Sequence, residues 1–247
     1  MLENQFIQFT ETIPTGPEVA LQTRPGEGMR FFTDASAMFY AYVVRPNGTK
    51  ITTAGYKMNI LGEPDDLNVL IEISTSGLKD KELYRIMLED SSTRTTLYSN
   101  LLINDPGADI SVIEYRCKEP AFGFPFGNDK STGEALYMKL ALPIKLYAPQ
   151  YKQEDKIYTK RNGEQVVLFA NITKEYDGET DYIPMEWHEK ILLALSCDEV
   201  YINNERVTKS NTYEIDHDNV TYTDCGTKLM RATFKVTTNV TQRNSNY

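Results

Sequence analysis

Leu136-Tyr137-Met138-Lys139-Leu140-Ala141-Leu142-Pro143-Ile144-Lys145-Leu146 alternates with a period of two. Leu136, Met138, Leu140, Leu142, Ile144 and Leu146 fall on one side, and Tyr137, Lys139, Ala141, Pro143 and Lys145 on the other. Successive side chains of an extended chain point to opposite faces, so this is a strand with one face in a core. Pro143 has no N–H to give to a ladder. The strand must therefore be at an edge, bulged or bent at that residue. The C-terminal segment repeats the logic. Met230, Ala232, Phe234, Val236 and Val240 share one face, with Thr238 as its polar member, while Arg231, Thr233, Lys235, Thr237 and Asn239 take the other.

Working outward, the first half reads as strands over 36–44, 50–60, 67–74, 83–88, 95–102 and 110–117. Pro46-Asn47-Gly48 supplies a turn, because Asn-Gly tolerates the positive φ of tight hairpins. Residues 81–90 also fit a short helix. In the second half, Arg161-Asn162-Gly163 marks a hairpin between 156–159 and 165–170, and Asn203-Asn204-Glu205 marks another turn. One helix is expected over 184–196. Pro184 suits its first turn, Glu186 and Glu189 favour its positive end, and Trp187, Ile191, Ala194 and Leu195 form its buried stripe.

Six or seven strands followed by a second β-rich region predict a mainly β chain. It should form two β-sandwich-like domains, the second carrying one packed α-helix. The expected boundaries are 29–117 and 134–247. Residues 1–28 are Pro/Gly/Thr-rich over much of their length and read as an extended arm that orders on a neighbouring subunit. Pro and Gly punctuate 118–133, which reads as the interdomain segment. It also carries Phe122, Phe124 and Phe126, which either plug the interdomain groove or anchor a neighbouring subunit.

Composition narrows the function. Among 247 residues, 26 Lys and Arg face 35 Asp and Glu, a net charge of −9 that argues against a basic nucleic-acid coat. Lys156 to Arg161 holds three positive charges, too few for a nucleic-acid patch, and the runs 173–181 and 214–218 are acidic. No apolar stretch approaches the length of a membrane helix, and the N-terminus lacks the pattern of a signal peptide. Cys117, Cys197 and Cys225 are an odd, widely spaced set that reads as reduced thiols.

Motifs for catalysis fail one by one. There is no G-x-S-x-G elbow and no P-loop. Cys197 ends a helix, where the dipole opposes a thiolate. His188-Glu189 lacks the second histidine of H-E-x-x-H, so His188 reads as a helix-surface residue. Asp216-His217-Asp218-Asn219 begins like a calcium loop, but Val220 and Thr221 stand where an oxygen ligand and glycine are needed. The carboxylates Asp65, Asp66, Asp80, Glu89, Asp90, Glu154 and Asp155 read as charged loops. No catalytic, cofactor-binding or metal-ligating residue is assigned. The 16 tyrosines suit either stacking on sugars or protein interfaces, where a rigid ring with a polar tip is favoured.

Three stretches carry a resemblance. The first is Tyr98-Ser-Asn-Leu-Leu-Ile with Ser111-Val-Ile-Glu-Tyr-Arg-Cys-Lys-Glu-Pro-Ala-Phe-Gly-Phe-Pro-Phe. The second runs from Asp181-Tyr-Ile-Pro-Met-Glu-Trp-His-Glu-Lys to Tyr201-Ile-Asn-Asn-Glu-Arg. The third is Tyr213-Glu-Ile-Asp, then Ala232-Thr-Phe-Lys-Val-Thr to the terminal Arg-Asn-Ser-Asn-Tyr. Over roughly residues 80–247 the chain resembles virion structural proteins of tailed phages and prophages of gut Bacteroidales, including crAss-like phages. The resemblance implies a ring or tube subunit of a tail or neck, made in the bacterial cytoplasm and carried in the virion. Its partners would be copies of itself and other tail or neck proteins, not membrane and not a specific nucleic-acid sequence. Candidate interface residues are Phe122, Phe124, Phe126, Tyr137, Tyr147 and Tyr151. The alternative is a carbohydrate-binding β-sandwich that recognises host surface glycans.

Overall fold

The computed structural model describes residues 7–16, 18–23, 29–34, 39–51, 57–60, 68–74, 77–91, 93–107, 109–117, 137–210, 213–223 and 226–244. The first elements are β1 (Phe9–Thr10), β2 (Leu21–Thr23), β3 (Met29–Asp34), β4 (Phe39–Val44), β5 (Lys57–Ile60), β6 (Asn68–Ser74) and β7 (Glu82–Asp90). Next come β8 (Thr96–Ser99), β9 (Leu102–Asn104), β10 (Ser111–Arg116), β11 (Met138–Leu142), β12 (Ile144–Leu146), β13 (Gln150–Thr159) and β14 (Gln165–Thr180). Then follow β15 (Ile183–Pro184), α1 (Met185–Leu195), β16 (Glu199–Ile202), β17 (Glu205–Lys209), β18 (Glu214–Ile215), β19 (Thr221–Tyr222), β20 (Lys228–Met230) and β21 (Ala232–Asn244). The chain is mainly β, with several sheets and, among the described residues, a single helix, as the period-two pattern predicts.

The stretch around Pro143 organises the largest sheet, ordered β11-β10-β16-β17-β21-β14-β12 with β13 on β14 and β18 on β21. β11 and β12 are consecutive in the chain, separated only by Pro143, yet they lie at opposite ends of that order. The sheet therefore curls until its two ends meet at Pro143. Before the proline the strand pairs with β10; after it, with β14. The Ser111 hydroxyl donates to the Ile144 carbonyl at 2.8 Å and bridges the junction. Met138, Leu142 and Ile144 are buried, as the alternation requires.

β10 belongs to this sheet, pairing with β11 and β16. The segment 118–133, expected between domains, lies outside the described residues. It joins two strands that are antiparallel neighbours. The buried residues of both halves form one continuous cluster, running from Ile7, Leu21 and Tyr84 through Ile113 and Trp187 to Phe234.

β7 is the axis of a six-stranded sheet, ordered β1-β8-β7-β9-β2 with β4 on its other edge. Of residues 81–90, Lys81 is in a turn and 82–90 are strand, not helix, because both faces of β7 are covered: Tyr84 to Leu88 are all buried. The strand expected over 95–102 is interrupted at Asn100-Leu101, so β8 and β9 take successive parts of β7. The Ser99 hydroxyl accepts the Ile86 N–H at 2.8 Å and fills the gap in the ladder.

The described residues 7–16 and 18–23 lie against their own chain. β1 pairs antiparallel with β8, and β2 pairs parallel with β9. Ile7 and Leu21 enter the core. Gln8 reaches the helix, its Nε2 donating to Glu186 at 2.8 Å.

Helix α1 starts at Met185. Pro184 is the residue before it, extended at φ −63° and ψ 152°, and is not in the first turn. Trp187, Ile191, Ala194 and Leu195 are buried as the stripe predicts. Two turns use the same construction, a four-residue turn closed by a glycine of positive φ: Gly48 and Gly163. Asn203 and Asn204 both have positive φ, the backbone of a type I′ hairpin between β16 and β17.

Candidate interaction surface

The hairpin expected at Asn162-Gly163 is far longer than the sequence pattern implies. β13 spans ten residues and β14 sixteen, and β21 pairs along β14 from Glu179 out to Phe169. Together they form a three-stranded antiparallel ribbon, here called the limb. At about 3.3 Å per residue the outer hairpin extends roughly 30 Å. No residue from Lys145 to Asp177 is buried. β13 is exposed at every position and pairs only with β14 among the described residues, so its outer edge offers unpaired backbone groups.

The limb has apolar groups on both faces. Ile157 is paired with Val167 and Tyr158 with Val166, and successive pairs point to opposite sides. Tyr151, Ile157 and Tyr158 are 65%, 53% and 53% exposed. Ribbons of two or three strands need a packed apolar face for stability in water. This one carries exposed apolar side chains near its tip, Ile157 and Tyr158 among them.

Its root is held by polar ladders. Lys152 pairs with Glu175 at 2.7 Å, and Lys235 pairs with Asp177 at 3.0 Å. The Tyr176 hydroxyl donates to Glu205 at 2.6 Å, and Lys174 pairs with the same carboxylate at 3.2 Å. Each such exposed pair is weak singly, so they align the strands more than they stabilise them. The Lys152 contact pulls the Glu175 carboxyl below its ordinary range.

The expected interface tyrosines separate into two kinds. Tyr147 and Tyr151 are exposed, Tyr147 at the root and Tyr151 on β13. Tyr147 donates its hydroxyl to Glu179. Tyr137 is half-buried. Arg116 lies 4.3 Å from its ring centre, Tyr201 packs edge-on at 5.7 Å, and its hydroxyl donates to Glu199. Glu199 also holds Arg116 at 2.9 Å, so Tyr137 completes an ion-pair cluster between β10 and β16. Phe122, Phe124 and Phe126 lie outside the described residues.

His188 is not a surface residue. It is fully buried, with Nε2 donating to the Met230 carbonyl at 3.0 Å and Nδ1 accepting from the Tyr213 hydroxyl at 2.8 Å. Burial pushes its pKa below the ordinary value, and the hydrogen bonds oppose that only in part. The helical spacing missed it because the α1 stripe is wider than the four apolar residues: Lys190 is buried too, paired with Glu186 at 2.9 Å. Cys197 lies within hydrogen-bond reach of the buried Cys117, and burial first, then that neighbour, pushes its thiol far up. Both are free thiols; Cys225 lies outside the described residues. The Asp216 carboxylate accepts the N–H groups of Asp218 and Asn219 and the Asn219 side-chain amide, which closes the turn and lowers its pKa.

At the limb root an open groove of about 480 Å³ is lined by Glu179, Tyr182, Glu214, Asp216, Asn219 and Arg231. Arg231 stacks over Tyr182 at 4.4 Å and reaches Glu179 at 3.3 Å. A recess of about 250 Å³ adjoins it, sharing Glu179, Glu214 and Thr233 and reaching Tyr147 and Phe234. No residue spacing signals this groove. It arises because β14, β18 and β21 bring the acidic runs 173–181 and 214–218 together.

No protein-family model matches the chain, and neither the curated proteins nor the solved structures contain a significant match. Among the described residues no helix is long and apolar enough to cross a membrane, and no group of three or more metal-binding side chains is gathered.

Proposed function

We propose that this protein is a non-enzymatic structural subunit of a tailed-phage virion, assembling with copies of itself into a ring or tube of the tail or neck. The observation that carries the reading is the limb: 33 consecutive residues, 145–177, without one buried side chain, ending in apolar groups on both faces. Such a ribbon gains its apolar burial from another molecule. Repeated contacts between unlike faces generate rings or filaments. The resemblance over residues 80–247 supplies the virion setting.

Negative-stain microscopy of the purified protein tests the assembly. Closed rings or short tubes of uniform diameter are expected. Mass spectrometry of purified particles tests the setting, with the chain expected at a copy number of several per virion.

The glycan-binding alternative draws on the polar groove with Tyr182 at its wall. Arg231 already covers one face of that ring, which leaves less of it for a sugar. A monomeric protein with defined signals on a glycan array, lost on Tyr182→Ala, would favour that alternative over assembly.

A further inference from the structure

We infer that the limb of one copy docks tip-first into the carboxylate groove at the limb root of a second copy. This rests on the assembly reading and names its contact.

Charge is the first argument. The whole chain carries −9, yet residues 150–175 hold five basic side chains against four acidic ones. From the Lys156–Phe169 pair outward the tip holds Lys156, Lys160 and Arg161 against Glu164, which pairs with Lys160 at 3.1 Å, while Glu154 and Asp155 lie on the root side of it. The groove has the opposite balance: Glu179, Glu214 and Asp216 against Arg231. Opposed potentials of this kind steer encounter and fix register.

Apolar surface is the second argument. Tyr158, Val166 and Leu168 line a shallow concavity at the tip. At the root, the adjoining recess presents Tyr147 above the buried Phe234. The basic–apolar tip and the acidic–apolar root therefore match in both properties.

Geometry makes the contact intermolecular. Tip and groove lie at opposite ends of β14. From Gln165 to Glu179 a strand spans on the order of 45 Å. A tip cannot reach the groove of its own copy, but it can reach that of the next. The two faces are unlike, so each bound copy still presents a free tip and a free groove, and the contact propagates head to tail.

Charge reversal tests the contact. Asp181 pairs with the groove's Arg231 at 3.6 Å and adds to its acidic wall. Lys156, Arg161, Asp181 and Glu214 are all exposed, so K156E/R161E and E214K/D181K should both keep the wild-type circular dichroism. Self-association is read by analytical ultracentrifugation. Each variant alone should associate about 100-fold more weakly than wild type, and mixing the two should restore association to within about ten-fold. Raising ionic strength from about 0.05 M to about 0.5 M should weaken the wild type. A reversed tip that associates like wild type overturns the docking while leaving assembly standing. Weakening that the complementary pair does not restore also overturns it, because the groove is then not the partner. A wild type that stays monomeric at low salt and high concentration sinks both this contact and the assembly reading.

Discussion

Arg85 and Glu18 form a buried ion pair that fastens the N-terminal segment to the central strand β7. The Arg85 side chain is only 4% exposed, and its guanidinium also donates to the Ser99 carbonyl at 2.8 Å and the Pro46 carbonyl at 3.3 Å. Glu18 in turn accepts the Leu101 N–H at 3.3 Å, at the point where the ladder between β8 and β9 is broken. The pair thus closes an opening in the sheet from the chain's own N-terminal segment. Removing one partner leaves a buried charge unpaired, which costs about 3–5 kcal/mol. Glu18→Ala should lower the urea unfolding free energy by about that amount. The double variant E18A/R85M should recover most of it, since no charge is then stranded. Equal losses in both would mean that packing, not the charge, holds the segment.

Gly178 faces Phe234 directly across β14 and β21. A Cβ on Gly178 would lie 2.5 Å from two atoms of the ring. The ring has little freedom to withdraw, because Phe234 is stacked on Tyr213 with centres 5.8 Å apart, and Tyr213 is bonded to His188. Gly178→Ala should therefore destabilise by about 1–3 kcal/mol, the range of overpacking in a filled core. Thermal melting checks it. An unchanged melting temperature would show that the Tyr213–Phe234 stack shifts without cost.

His188 gives the fold a pH dependence with a definite sign. Its folded pKa is depressed by burial, so the unfolded chain takes up a proton near the ordinary value of about 6.5 while the folded chain does not. The stabilisation is complete above about pH 6.5 and falls as pH drops below it, by up to about 1.4 kcal/mol per pH unit. Urea midpoints should decline between pH 7 and pH 5 in wild type and decline less in His188→Gln. The difference between the wild-type and His188→Gln profiles isolates this ring from the other titrating groups. A flat wild-type profile would mean that the ring is protonated as readily inside as outside.

Much of the fold was legible because most strands bury one face. The alternation around Leu136–Leu146 and Met230–Val236 reports that burial directly, and Pro143 and the Asn-Gly pairs report their bends and turns through backbone constraints that neighbours do not alter. Legibility failed where the cause was non-local. β7 is buried on both faces, so its pattern blurred toward a helix. β1, β2 and Glu18 show little periodicity because they are placed by pairing with β8 and β9 and by the Glu18–Arg85 contact. His188 looked like a surface residue because its burial depends on Tyr213 and Met230, 25 and 42 residues away. The limb was foreseen only as a short hairpin for the opposite reason: with neither face buried, Gln150–Thr159 carries no alternation to read. The absence of pattern in a well-formed strand reports here that neither of its faces enters the core.

The most direct test of self-assembly through the limb is mass photometry of the whole protein beside a version with the limb cut back. Lys152 and Thr173 are opposite one another, so residues 153–172 can be replaced by an Asn-Gly turn without moving the root, with residues 240–247 removed alongside. The excised residues are not buried wherever their side chains are described, so the shortened chain should keep its fold by circular dichroism. The full protein should give one discrete multimer and the shortened one a monomer. Identical mass distributions for the two would contradict the account.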